Sequence, residues 1–320
     1  MDDISRNQLL AEIASLYYVE KVTQKKIGTE FGYSRSGVSR LLDEAEKKGI
    51  VKISVEYPIQ RASNLEKQLV NAYHLDEAYV LKHNRLGYDQ SLDMVGRLGA
   101  IFLEHRLRNG LVIGISWGTS IFSVVSHLPE LNLNDTKIVQ VVGAIGGISD
   151  PKIDGPEIAS FFAKKLNASY YSLNSPLFLD SQEACKSFMS QKPIRETFNL
   201  AYQCDFILTG VGTIDTDEKF SSLFRSGNIS TKDVREIKMR GGDLHFCGLI
   251  FDKNGKYLDI DINHRAMAID LNKVTNKKGK VIGVAAGKEK TNALKAALNG
   301  ELIDILITDQ AAVDPIFNGF

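Results

Sequence analysis

The 320-residue sequence has only three cysteines, Cys185, Cys204 and Cys247, which lie far apart and are odd in number. It has no CxxC or HExxH spacing. Both absences argue against a disulfide framework or a metal site and predict reduced thiols that serve packing. The N-terminal MDDISRNQ lacks an apolar signal core, and no apolar run is long enough to cross a bilayer. A soluble, cytoplasmic protein with no membrane partner is expected. Net charge is missing too, since 39 Lys and Arg balance 39 Asp and Glu. A neutral chain argues against an extended polyanion-binding surface but leaves room for a small basic module. GVAAGKE (Gly283–Glu289) has one residue too few before Gly-Lys, and Glu stands where Ser or Thr is needed, so it is not an ATP-type P-loop. No GxGxxG follows the first strand of a βαβ unit, which leaves a dinucleotide site unsupported. The six histidines are scattered. His245 and His264 lie near carboxylates, but isolated histidines are more often structural or exposed. No metal, cofactor or catalytic residue is expected.

What is present reads as two domains, a natural division for this length. Leu9, Leu10, Ile13, Leu16, Tyr17 and Val19 recur at helical spacing and predict a helix over Ser5–Lys21. Thr23 suits the N-cap of a second helix ending near Phe31, and Gly32-Tyr33 makes a turn. Ser34 suits the cap of a third helix that runs to Lys48 and stops at Gly49. IVKISVEYP then alternates like a strand, as half of a small β-wing. A first domain over residues 1–57 follows. Residues 58–320 begin with a linker and a helix up to His74. Short apolar runs then alternate with amphipathic stretches: EAYVL, LVIGIS, KIVQVV, FILTGVG, HFCGLIF, VIGVA and DILIT. Helices over Gln90–Arg108, Ser120–His127, Pro156–Leu166 and Glu289–Leu298 separate several of them. The fold class is therefore α/β, a large doubly wound, mostly parallel sheet behind an N-terminal helical domain.

Thr23–Lys48 meets the demands of a helix-turn-helix. Ile27, Phe31, Val38, Leu41 and Leu42 form an inner face, and Ser34, Arg35, Ser36, Ser39 and Arg40 lie at the start of the third helix or off that face. Arg there suits base edges, and Lys25 and Lys26, beside Thr23 and Gln24, suit phosphates. Residues 21–40 hold five basic residues against Glu30 alone, an excess of four. A helical hairpin that merely covers a core shows the same spacing. The N-terminal position, the three-helix count and the following strand favour DNA.

In open α/β sheets, ligands bind beyond the carboxyl ends of the strands. Small or polar residues recur there: Trp117–Ser120, Gly143–Gly147, Val211–Thr213, Ala286–Lys290 and Asp309-Gln310. Gly118-Thr119-Ser120 sits where a helix begins, so backbone N–H groups and hydroxyls can converge on an anion. Lys288 and Lys290 oppose a helix dipole that a bound anion would satisfy, although both can instead point into water. Asp243 in GGDLHF can accept a hydrogen bond from a ligand hydroxyl or simply form a turn.

With these residues in view, the chain resembles the SorC/DeoR family of sugar-responsive transcriptional regulators, the type with a large phosphosugar-isomerase-like effector domain. The resemblance covers nearly the whole chain. It rests on TQKKIGTEFGYSRSGVSRLL, VIGISWGTS, ILTGVGTI, LFRSGNIS, GGDLHFCGLIFDKNGK and VIGVAAGKEKTNALKAALNGELIDILITDQAA. It implies an effector domain similar to ribose-5-phosphate isomerase and glucosamine-6-phosphate deaminase, and tetramers that bind operator double-stranded DNA. The implied effector is a phosphorylated sugar or polyol. By position, Gly118, Thr119 and Ser120 match the phosphate loop, Lys290 the lysine of a Gly-x-x-Lys segment, and Asp243 the Asp before the next strand. Gly146, Gly147, Gly212 and Thr213 match other cleft loops. The sequence departs from the pattern between Val142 and Gly146, which is longer than usual. Ala286 also stands where Gly is common. No lysine lies in Val139–Gly147, so a Schiff base there is unsupported. The expected function is an effector-controlled regulator and not an enzyme. A phosphosugar isomerase or deaminase with an accessory N-terminal domain is the alternative, because fold alone does not decide function.

Overall fold

The computed structural model describes residues 3–51, 58–83, 85–146, 154–214, 221–225, 229–275 and 279–318. The chain forms two compact units, Met1–Pro58 and Ile59–Phe320. The anticipated wing strand, over residues 52–57, and Gly147 lie outside the described residues.

The first unit holds α1 (Asp3–Ala14), a π turn (Ser15–Val19), α2 (Gln24–Phe31) and α3 (Arg35–Lys47). Leu10, Ile13 and Ala14 meet Ile27 of α2 and Val38, Leu41, Leu42 and Ala45 of α3 in one core. The last four recur at helical spacing, so α3 turns one apolar stripe inward. The first helix is shorter than its periodicity predicts. It widens into the π turn after Ala14, and Lys21, at φ 59°, ends the segment. Ser34 caps α3, its Oγ accepting from Gly37 N at 3.0 Å. Thr23 holds the cap position of α2, but its side chain makes no cap hydrogen bond. Gly28 sets the α2–α3 angle, because a Cβ there would lie 2.5 Å from the Tyr33 carbonyl oxygen. Arg6 and Glu44 join α1 to α3 at 2.6 Å.

The second unit is built on one nine-stranded sheet. Its strands are β1 (Glu77–Leu81), β2 (Val112–Ile115), β3 (Lys137–Gln140), β4 (Ser169–Tyr171), β5 (Phe206–Thr213), β6 (Gly242–Phe246), β7 (Leu249–Asp252), β8 (Lys280–Val284) and β9 (Ile305–Asp309). The order β1-β9-β8-β5-β2-β3-β4 is parallel throughout, and the β6–β7 hairpin adds antiparallel to β5. All five residues of β9 are buried, as expected of a parallel strand covered on both faces. HFCGLIF, expected as one strand, is two. Cys247 and Gly248, at φ 48° and 85°, turn the chain between β6 and β7. The helix expected from Glu289 starts at Thr291, after a 3-10 turn over Lys288–Lys290. Among the described residues, no helix is long and apolar enough to cross a membrane.

From β2 the chain continues outward to β3 and β4, then returns to place β5 on the other side of β2 and continues to β8. The strand order therefore reverses between β2 and β5. A crevice opens at such a switch point, outside the carboxyl ends of the two strands.

Candidate functional site

That crevice is lined. β2 leads into Ser116, Trp117 and Gly118, and helix Thr119–His127 begins at once with Thr119 and Ser120. β5 supplies Thr209 to Gly212, β6 supplies His245, the hairpin turn supplies Cys247 and Gly248, and the 3-10 turn supplies Lys290. Ser221 and Leu223 complete the wall. The non-atom space, its open mouth included, is about 460 Å³. Ser116 Oγ donates to Thr209 Oγ1 at 2.9 Å and ties the two central strands beneath it.

The loop that carries Lys290 is held from below. Asp309, at the end of β9 and fully buried, accepts from Gly287 N and Ala312 N, both at 2.8 Å, and from Ser91 Oγ. Burial pushes its carboxyl above the usual range, against the pull of these three donors. Lys290 is itself buried, with 6% of its surface exposed. Among the described lining residues it is the one lysine or arginine. A buried cation, two hydroxyls and a helix start converge on one cavity, a combination chemically suited to an anion.

His245 faces the same space, its ring 5.1 Å from that of Trp117. Burial, then the nearby Lys290, lowers its pKa from 6.5 to about 3, so the imidazole is neutral at physiological pH. The sign of the resulting pH dependence is fixed. Below pH 6.5 the unfolded chain takes up a proton at this position and the folded chain does not. The stability due to the neutral histidine is complete above 6.5 and is lost as pH falls toward 3. From pH 7.5 to 5.5 the loss should be about 1.4 kcal/mol, and His245→Gln should abolish that component. Urea unfolding followed by Trp117, the single tryptophan, measures the difference. Equal pH slopes in both proteins would mean that His245 is solvated.

Of the residues anticipated for this site, Gly118, Thr119, Ser120, Gly212 and Lys290 come together in the cavity. Gly212 serves by close approach, since a Cβ there would lie 3.0 Å from both His245 Nδ1 and the His245 carbonyl oxygen. Asp243 is not in the lining. It lies inside β6 and not before it, at a register shift between Gly242 and Leu244, and faces a depression with Lys253, Asn254, Asn292, Lys295 and Asn299. Such an irregularity re-aims a side chain. Thr213 continues β5 opposite Leu244, beyond the lining. Gly146 is exposed and also outside it. Thr209, Ser221 and Cys247 line the cavity without having been anticipated, His245 lines it although it was read as structural or exposed, and Trp117 lines it from an anticipated strand-end loop without having been given a role. The position of the lone tryptophan at a strand end was the available signal.

In the first unit, Thr23, Lys25, Lys26, Ser34, Arg35, Ser36 and Arg40 are exposed, and Gln24 and Ser39 half-buried. Ser34 Oγ and Ser36 Oγ are 3.0 Å apart. Arg40 Nε approaches the Ser36 carbonyl at 3.4 Å. The start of α3 is thus a polar, basic edge on the side away from Val38, Leu41 and Leu42.

Fold and cavity together define an α/β domain with a small anion-ready pocket at a sheet switch point. A family model for a sugar-binding domain matches residues 57–318, and the chain belongs to that family. It is similar along its length to the sorbitol operon regulator of Klebsiella pneumoniae, at 28% identity over 98% of each chain. To the deoxyribonucleoside regulator of Bacillus subtilis it is 28% identical over 99% of each. The crystal structure of the full-length sorbitol operon regulator SorC from Klebsiella pneumoniae superposes with a TM-score of 0.72 at 25% identity. That match covers 98% of this chain and 99% of that one.

Proposed function

We propose that this chain is a transcriptional regulator whose binding to operator DNA is controlled by a phosphorylated sugar or polyol. The cavity carries the reading: Lys290, Thr119, Ser120 and a helix start meet there in a domain of the sugar-binding family. Residues 1–57 act as a helix-turn-helix DNA-binding domain. Thr23, Gln24 and Lys25 meet phosphates, and Ser34, Arg35, Ser36, Ser39 and Arg40 face the major groove. Residues 58–320 bind the effector and assemble the chain into a homo-oligomer, a tetramer built from dimers that span two half-sites. The effector is bound and released, not turned over, in the cytoplasm. Likeness to two regulators over the whole length supports this assignment.

Thermal unfolding with D-sorbitol 6-phosphate, D-ribose 5-phosphate, 2-deoxy-D-ribose 5-phosphate and inorganic phosphate tests it. A ligand at a hundred times its dissociation constant should stabilise the protein by about 2.7 kcal/mol. The sugar phosphate should be recovered unchanged. Turnover would make the protein an enzyme, and no stabilisation by any of the four would remove the anion reading.

A further inference from the structure

Three polar atoms of cavity-lining residues have no hydrogen-bond partner: Trp117 Nε1, Ser221 Oγ and His245 Nε2. Their residues are 6%, 1% and 7% exposed. Among the described residues, only Asp154 Oδ1 and Thr308 Oγ1 share that condition elsewhere, so orphaned polar atoms concentrate in this one cavity. Buried polar groups are normally paired, and each exception calls for a reason. None of the three belongs to the phosphate-holding set of Thr119, Ser120 and Lys290.

The chemistry of the three narrows what pairs with them. Indole Nε1–H only donates. A serine hydroxyl donates and accepts. A neutral imidazole presents a donor or an acceptor at Nε2 according to tautomer. A ligand hydroxyl can serve all of them, because it accepts from Trp117 and either donates to or accepts from His245. A carboxylate or carbonyl oxygen accepts only and serves one tautomer. An ammonium group has nothing to offer Trp117 and is repelled by Lys290. We propose that Trp117, His245 and Ser221 form the hydroxyl-reading part of the cavity and set its specificity for the polyol portion of a phosphate ester. The assignment rests on the phosphate reading of the same cavity and adds the residues that tell one sugar phosphate from another.

Calorimetric titration of the full chain tests it, with inorganic phosphate as reference and D-sorbitol 6-phosphate, D-ribose 5-phosphate and 2-deoxy-D-ribose 5-phosphate as probes. Wild type should prefer at least one sugar phosphate to inorganic phosphate. In Trp117→Phe, which keeps a ring and removes the donor, that preference should fall about tenfold or more, as it should in His245→Phe and Ser221→Ala. Inorganic phosphate should bind all three variants within about threefold of wild type, as expected where the altered side chain does not touch the ligand. Retained preference in the folded variants overturns the assignment. So does an equal loss of sugar phosphate and inorganic phosphate, which would place these side chains behind the phosphate-holding groups. If wild type binds neither inorganic phosphate nor any sugar phosphate, the phosphate reading itself fails and this assignment with it. Thermal unfolding of each variant identifies any that fails to fold, and Trp117→Phe is the smallest change.

Discussion

Lys290→Ala should weaken sugar-phosphate binding tenfold to a hundredfold. The ammonium is buried and, among the described residues, is the one lysine or arginine lining the cavity. A hydrogen bond to a charged group contributes about 1.5–3 kcal/mol, and each 1.4 kcal/mol is a factor of ten. Screening by salt is weak at a buried site, so the loss should persist at 0.5 M salt, where a surface interaction would fade. Operator affinity without effector should stay at the wild-type level, since the residue belongs to the second unit. The operator complex should still respond to effector, at concentrations raised in proportion. Calorimetric titration beside operator binding measures both. A wild-type titration curve for this variant would place the phosphate elsewhere.

Arg35→Ala with Arg40→Ala should abolish discrimination between operator and random DNA. Both residues are exposed on α3, so their removal should leave thermal stability within about 0.5 kcal/mol. A bidentate Arg–guanine pair supplies about 1–3 kcal/mol of discrimination. Two such pairs in each of two half-sites multiply to a loss of at least about a hundredfold. Lys25→Ala should behave differently. It should weaken binding to every sequence and flatten the plot of log affinity against log salt by about 0.9 for each phosphate that is no longer neutralised. Fluorescence anisotropy with operator and scrambled duplexes at several salt concentrations separates the two behaviours. Unchanged operator affinity in the double variant would mean that α3 presents another face.

Long or strongly periodic segments were legible in the sequence. The stripe Val38, Leu41 and Leu42 and the apolar runs of β1, β2, β3, β5, β8 and β9 could be read because periodicity reports burial directly. What the sequence hid has physical causes. β4 is three residues long, too short for any period to register. Helix Thr231–Met239 buries only Asp233 and Ile237, so it shows little apolar stripe. HFCGLIF is a continuous apolar run, and the turn inside it depends on Cys247 at a positive φ, a conformation unusual for that residue type. The part of the cavity around Gly118, Thr119 and Ser120 was readable because glycines and hydroxyls cluster locally after β2. Its other part was not. Trp117, Ser221 and His245 come from three distant segments, and only the β5–β6 pairing brings His245 opposite Gly212. Asp243 was misplaced for a related reason: a one-residue shift in pairing redirects a side chain, and pairing register cannot be read from a single strand.

The close approach of Gly212 and His245 also bears on how ligand choice can change. A methyl group at residue 212 would fit only if residue 245 gave way by a few tenths of an ångström, and β5 meets the cavity there as bare main chain. That wall resists diversification, because a side chain there would press on the imidazole and the main-chain carbonyl of residue 245 before it reached a ligand. The opposite holds for residue 245, where a smaller side chain would enlarge the chamber without disturbing its neighbour. Selection or design for a new effector therefore has an asymmetric vessel to work with. One side is constrained by close approach, and the other can be varied one side chain at a time.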